Sequence, residues 1–498
     1  MFLRLGVCMA RSREKSYRHI LKYTGIFGGV EVLKILIGLI RNKFVAVILG
    51  PNGMGLISLL NSTIQLMHNS TNMGIPTSAI REISDVQENG DRTLLEETVA
   101  KVRTLALVTA VIGTLLTASL CRVLNNWTFT WGDHTLHFVL LSPIVGVMAL
   151  TGVELSILKG IKQLRALARL SVYGVLVALV ISIPLFYFFG QRAIVPVLLL
   201  TESIQLCLIA SISLRLFPLR LCPLRGLWQK SRGVLSLGAA FVVSGIFVSG
   251  ADFLIRTYLN NIASLDEVGL FNAGFVIVSI YGGMVFNAMG TDYFPRLSAV
   301  ANTGREMNKV VSEQIEVSVL MVAPMLVGMM IIMPILLPAL YSDVFAPVVG
   351  MVQIGLLALL FRAVYIPIEF ISMARSNSMI FLLQDSIATL FLIGCVIGGY
   401  HEAGLWGAGL GLTIAYLLEA IFVLIVSHAV FGYVLSRRSI QYLFVHLLIG
   451  LVAYAVTFTF NGLFYWLIGA LCILVSAGYS FNILRNKAAI IDAIKRKL

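Results

Sequence analysis

Charge is scarce in this chain. Only 12% of its 498 residues are Asp, Glu, Lys or Arg, against about 25% in an average soluble domain. That excludes a soluble domain of ordinary size on either side of a membrane. Cysteine is scarce too. Cys8, Cys121, Cys207, Cys222, Cys395 and Cys472 are scattered with no C-x-x-C spacing, so neither a disulfide framework nor a zinc site is expected. There is no G-x-x-x-x-G-K-[ST] phosphate loop, so the chain is not expected to hydrolyse ATP. H-E-x-x-H and G-x-S-x-G are absent as well, which removes the commonest signatures of metallopeptidases and serine hydrolases. The N-terminus carries no removable signal pattern, and Met9 offers an alternative start.

Apolar sequence is abundant, at 58% of the chain. It falls into stretches near 24–40, 56–80, 103–121, 136–158, 167–189, 193–214, 234–255, 268–290, 316–337, 347–371, 378–398, 404–427, 441–460 and 462–484. About 20 apolar residues span the hydrocarbon core as a helix. Inside lipid each backbone polar group needs a partner within its own segment, so helices rather than open strands are expected. The pattern predicts an all-α polytopic membrane protein of about 14 transmembrane helices.

The net charge of +13 is unevenly placed. Lys and Arg crowd the N-terminus (Arg4, Arg11, Arg13, Lys15, Arg18, Lys22), every second gap (for example Lys159, Lys162, Arg165 and Arg169) and the C-terminal tail. The alternate gaps hold few, among them Arg41, Lys43, Arg122, Arg192 and Arg256. Basic residues stay on the cytoplasmic side, so both termini are expected there. The basic balance is read as membrane orientation, not as nucleic-acid binding. All loops are short. The longest outer one, near 122–135, carries Trp127 and Trp131 as an interfacial aromatic pair.

An internal repeat is visible. Arg41 matches Arg256, Gly55-Leu56 matches Gly269-Leu270, Thr77 matches Thr291, Arg81 matches Arg296 and Gly90 matches Gly304, at offsets of 214–215. Six helices per copy give two parallel bundles about an axis along the membrane normal. The expected organisation is a cytoplasmic N-terminus (1–22), an N-lobe of helices 1–6 (23–214), a linker (215–233), a C-lobe of helices 7–12 (234–427), two extra helices (441–484) and a cytoplasmic tail (485–498).

Charged side chains at membrane depth are costly and usually face a bundle interior or an aqueous cavity. In span 1, Glu31, Lys34 and Arg41 share a stripe, read either as a buried Glu31–Lys34 ion pair or as an anion-binding wall. Span 7 places Asp252 and Arg256 four residues apart, where they can pair. Span 10 aligns Arg362, Tyr365 and Glu369, with Pro367 as an expected kink. Asn61, Gln65, His68 and Asn72 form a narrow polar stripe on span 2, suited to sugar hydroxyls and equally to interhelical hydrogen bonds. Glu154, Glu202 and Glu419 read as isolated carboxylates, and His428 and His446 as interfacial. The glycines from Gly404 to Gly411 favour close helix packing.

The segments Leu49-Gly50-Pro51-Asn52-Gly53-Met54-Gly55-Leu56, Asn72-Met73-Gly74-Ile75-Pro76 and Arg81-Glu82, set in this helix ladder, resemble the O-antigen and polysaccharide flippases of the multidrug/oligosaccharidyl-lipid/polysaccharide exporter superfamily. The resemblance covers nearly the whole chain. It implies two bundles around a cationic cavity that opens alternately to each side, a cargo of oligosaccharide on undecaprenyl pyrophosphate, and an apolar groove for the lipid tail at the two extra helices. Lys34, Arg41, Arg256 and Arg362 are then the cations for the pyrophosphate. Glu31, Asp252 and Glu369 either hold those cations or couple transport to an ion, H+ or Na+. The implied partners are the lipid-linked oligosaccharide, membrane lipid and a polysaccharide polymerase. No cofactor, catalytic residue or nucleic acid is expected, and one chain with both bundles is expected to act as a monomer in the bacterial inner membrane. Alternative readings are a small-cation or drug antiporter, a peptidoglycan-precursor flippase, and a membrane glycosyltransferase or polymerase, the last opposed by the short outer loops.

Overall fold

The computed structural model describes residues 2–130, 132–223 and 232–495, and their side chains except at 2–29, 31–32, 164, 232–241, 287–292 and 487–495. Among these residues no strand occurs. The helices are α1 (Phe2–Thr71), α2 (Ile75–Asn89), α3 (Arg92–Ser119), α4 (Cys121–Thr128), α5 (Thr135–Gly160), α6 (Leu164–Phe189), α7 (Ile194–Leu216), α8 (Arg232–Ile262), α9 (Leu265–Phe275), α10 (Met284–Val300), α11 (Gly304–Leu340), α12 (Val349–Gly355), α13 (Ala358–Ala374), α14 (Ser378–Phe431), α15 (Arg437–Thr459) and α16 (Gly462–Lys495).

Nine helices among the described residues are long and apolar enough to cross a membrane, or ten if the bent pair Asp343–Gly355 and Ala358–Ala374 is one span. The chain is a multi-pass membrane protein. The number differs from the expected fourteen for a physical reason. Length and hydropathy score continuous helices, whereas Arg165–Leu216 is interrupted by a 3-10 turn at Gly190–Ala193 and Ser378–Phe431 by non-helical backbone at Ala403 and Gly404.

The break in α1 shows how sequence sets such interruptions. Gly50 has φ 65°, ψ −172°, a conformation that only glycine adopts without strain. Pro51 follows, its fixed φ and missing N–H suiting the first turn of a new helix. The second arm ends at Thr71, earlier than the expected 80, because the Asn72 side chain accepts from Gly74 N at 2.8 Å and closes a turn. The expected kink at Pro367 is displaced. Pro367 lies inside α13, and the 50° bend falls between Gly355 and Ala358. The Pro367 carbonyl accepts instead from the Tyr293 hydroxyl at 2.7 Å.

Two compact units are distinguished. The first is Met1–Leu49 with Thr63–Gly245, and the second is Gly50–Ser62 with Ile246–Leu498. In the first unit α5 packs between α3 and α7. One end of this trio is tied by Arg103. Its guanidinium makes a bidentate pair with Glu154 at 2.7 and 3.0 Å, and donates to the carbonyls of Phe217 (2.8 Å) and Pro218 (3.2 Å) and to Ser213 Oγ (3.1 Å). Glu154 is therefore not isolated; its partner lies 51 residues away and carries no local signal. Breaking such a buried pair costs about 3–5 kcal/mol, mostly because one charge is left uncompensated. Arg103→Met is accordingly expected to lower the melting temperature sharply, and Arg103→Met with Glu154→Leu to recover most of the loss. A single variant that melts like wild type would overturn this.

In the second unit, glycine permits two close crossings. A Cβ at Gly407 would lie 1.9 Å from the Gly399 carbonyl oxygen, so the two arms of α14 meet backbone to backbone, as the Gly404–Gly411 run led us to expect. The arm 51–62 crosses α9 in a reciprocal way. A Cβ at Gly55 would lie 2.0 Å from Leu265 O, and one at Gly269 would lie 1.9 Å from Pro51 O. Asn52 Nδ2 donates to Asp266 Oδ2 (3.4 Å) and Ser58 Oγ to Asn272 Oδ1 (2.9 Å), both at a sequence separation of 214. That separation is the offset of the repeat. The terminal pair α15–α16 packs on α11. His446 is buried there between Ser476 Oγ (3.3 Å) and Ser480 Oγ (3.1 Å), an interhelical pin rather than an interfacial side chain.

Candidate functional site: polar groups within the membrane helices

In the first unit, Arg41 donates from Nε to Ser182 Oγ at 3.2 Å, and the Glu202 carboxylate on α7 lies within electrostatic range of it. Glu202 is thus a partner of an expected cation, not an isolated carboxylate. Lys34 is half-buried on the same arm of α1. Glu31 lies outside the residues whose side chains are described. Along the second arm, Asn61 and Gln65 are exposed, whereas His68 is buried and Asn72 is engaged in its turn. The expected stripe therefore presents two amides outward and uses its far end to terminate the helix.

In the second unit, Asp252 and Arg256 pair as their spacing suggested, at 2.9 Å. The guanidinium has further duties: Nε donates to Ser58 Oγ (2.7 Å), Nη2 to Asn272 Oδ1 (3.2 Å) and Nη1 to the Asp252 carbonyl (3.1 Å), and it lies over the Phe275 ring at 5.6 Å. Arg256 is only 6% exposed. This set of partners describes a tie between the arm 51–62, α8 and α9.

Arg362 is held differently. Between α9 and α10 the backbone forms a π turn, Val276–Tyr281. Such turns shift the helical hydrogen-bond ladder and free a carbonyl. The Ser279 carbonyl accepts from Arg362 Nη1 at 2.9 Å. The rings of Phe286 and Tyr416 lie against the guanidinium at 5.5 and 5.2 Å, a favourable placement for a desolvated cation. A Cβ at Gly283 would come within 3.1 Å of both Nη atoms, so the glycine makes room for the fork. Tyr365 stacks on Tyr416 at 6.1 Å, and Arg362 and Glu419 are among its electrostatic neighbours. Glu369, one face with Arg362 in sequence, instead has the Asp385 carboxylate as its main electrostatic neighbour.

Structure thus assembles Arg362, Tyr365, Tyr416 and Glu419, with Glu369 and Asp385 beside them. Sequence reasoning had Arg362, Tyr365 and Glu369 on one face and missed Tyr416, Asp385 and the Ser279 carbonyl. The pair Gly282-Gly283 was the available sign of a close approach. Among the described residues no group of three or more His, Cys, Asp or Glu is placed to hold a metal ion.

Comparison with known proteins places the chain. Residues 44–350 match the polysaccharide biosynthesis protein family, and the chain belongs to that family. No individually curated protein matches it in sequence. Solved structures share its fold. An inward-facing multidrug resistance MATE family transporter of the MOP superfamily aligns with TM-score 0.69 and 15% identity, over 80% of this chain and 94% of the other. The lipid II flippase MurJ, in an inward closed conformation, aligns with TM-score 0.69 and 14% identity, over 93% and 99%. A MOP superfamily transporter from Pyrococcus furiosus aligns with TM-score 0.53 and 14% identity, over 82% and 94%. The fold is therefore that of MOP-superfamily transporters.

Proposed function

We propose that the chain is a flippase that carries an oligosaccharide on undecaprenyl pyrophosphate from the cytoplasmic to the outer leaflet of the bacterial inner membrane by alternating access. The observation that carries this is Arg362, a cation deep within a helix bundle of a polysaccharide-biosynthesis protein. A phosphate headgroup crossing a membrane needs such a group, because charge-assisted hydrogen bonds are strong where water is excluded. Lys34 and Arg41 of the first unit are assigned with it to the pyrophosphate, and the exposed amides of Asn61 and Gln65 to sugar hydroxyls. Arg256, whose donors are already engaged, is assigned to holding the arm 51–62. The lobes 23–214 and 234–427 are the two bodies that move, both termini face the cytoplasm, and the pair α15–α16 borders the lipid tail.

The carboxylates Glu369, Asp385 and Glu419 favour a second reading, an antiporter for a small organic cation. Deletion of the gene followed by lipid extraction separates the two. Loss of surface polysaccharide with accumulation of undecaprenyl-pyrophosphate oligosaccharide is the expected result. A normal lipid-linked pool together with new sensitivity to small cationic compounds would overturn it.

A further inference from the structure

Two arginines of this chain use the guanidinium alike, up to a point. Arg103 donates from Nη1 to backbone, the Phe217 carbonyl at 2.8 Å, and turns its side edge, Nε and Nη2, to both oxygens of Glu154 at 2.7 and 3.0 Å. Arg362 also donates from Nη1 to backbone, the Ser279 carbonyl at 2.9 Å. Its Nε is buried and has no hydrogen-bond partner. An unmatched donor on a desolvated cation is a standing cost. In Arg103 a carboxylate of the chain meets that donor. In Arg362 no described residue does.

The chain closes off the rest of the Arg362 guanidinium. The Phe286 and Tyr416 rings lie against it at 5.5 and 5.2 Å. Gly283 borders the end of the fork: a Cβ there would lie 3.1 Å from Nη1 and from Nη2, and 2.4 Å from the Ser279 oxygen. A Cβ at Gly282 would lie 2.6 Å from the Val278 oxygen. Both glycines are therefore demanded by the wide turn Val276–Tyr281, which Gly282 N closes on Ile277 O at 3.0 Å. The turn interrupts the regular helical ladder. What it provides in return is one carbonyl oxygen fixed on one nitrogen of Arg362.

Resting on the flippase reading above, we infer that the Nε–Nη2 edge of Arg362 is the seat of one phosphoryl group of the lipid headgroup, and that the Ser279 carbonyl with Gly282 and Gly283 positions that edge. A phosphoryl group offers paired oxygens that match this edge as a carboxylate does, through two parallel N–H···O bonds. Glu154 on Arg103 shows the same grip within this chain. With Nη1 committed to Ser279 and two rings against the guanidinium, the fork is oriented before the headgroup arrives, and little freedom is lost on binding. Nε is covered in this structure, so the seat fills in a conformation that uncovers it, as a site loaded from one side of a membrane at a time requires. Hydrogen bonds alone change; no covalent bond forms or breaks. Gly283 is a positioning residue, since it acts through Ser279 and Arg362.

The test uses the full chain, labelled at arginine with an NMR-active nitrogen isotope, in a phosphorus-free detergent with undecaprenyl pyrophosphate as probe. Solid-state NMR reads the through-space coupling between arginine nitrogens and the phosphorus of the probe. The Nε signal lost in Arg362→Lys identifies Arg362. That Nε is expected to couple to phosphorus. Gly283→Ala should lose this coupling and bind the probe about tenfold more weakly or worse by calorimetry. A glycine that served helix packing alone would leave the coupling intact, so a Gly283→Ala protein that couples like wild type overturns the positioning role. Coupling at the Nη atoms of Arg362 with a silent Nε overturns the seat and leaves the flippase reading standing. Absence of probe binding by the wild-type chain overturns the flippase reading itself. Should Gly283→Ala fail to fold, the Nε coupling of the wild-type chain decides alone.

Discussion

Arg362→Ala is expected to abolish surface polysaccharide while the protein still reaches the membrane in normal amount. Removing one member of a buried charged contact costs about 2–5 kcal/mol of binding, a loss of about thirtyfold to several thousandfold in headgroup affinity. Lipid-linked intermediate should accumulate on the cytoplasmic leaflet. Arg362→Lys should restore little, because an ammonium lacks the planar fork that lies between the Phe286 and Tyr416 rings while donating to the Ser279 carbonyl. Arg256→Ala should behave differently. It strips Ser58, Asp252 and Asn272 of a shared donor, so its main effect should be on melting temperature. Quantifying polysaccharide and protein together distinguishes the two arginines. Full polysaccharide in Arg362→Ala would remove the central residue of the proposed site.

The crossing of the arm 51–62 with α9 is expected to stay closed through the transport cycle, since both lie in one compact unit and Arg256 ties them. Asn52 and Asp266 are joined there side chain to side chain. With Asn52→Cys and Asp266→Cys bridged by a short bifunctional thiol reagent, transport should continue undiminished and the melting temperature should rise. Transport that falls to background in the bridged protein and returns when the bridge is reduced would show instead that this crossing opens in each cycle.

Hydropathy and charge made the helix class and much of the segmentation legible, because both depend on averages over many residues. Local backbone signals were legible too: Gly50-Pro51 marks the break in α1, and Gly404 the break in α14. Pro367 misled, since the bend falls just after Gly355 and the proline lies inside α13. The partners of Glu154, Glu202 and Glu419 were not legible, since each comes from a different stretch of chain brought near by packing. The π turn at Val276–Tyr281 was hidden for a related reason. Its apolar residues read as ordinary helix, and only the Arg362 fork docked on the Ser279 carbonyl shows what the shifted ladder is for.

The reciprocal contacts at separation 214 have a consequence for the history of the chain. Pro51 meets Gly269 while Leu265 meets Gly55, so each partner touches the other's repeat counterpart. In homo-oligomers that reciprocity is the mark of an isologous interface about a two-fold axis. A six-helix ancestor with this sequence pattern would have met a second copy of itself through one glycine patch, and a single glycine would have served both sides. After such a duplication and fusion two glycines would each have to be kept. The same fusion would release the rest of the interface from symmetry, in keeping with Arg256 being tied by Ser58, Asp252 and Asn272 while Arg41, its match in the repeat, lies beside Ser182 and Glu202.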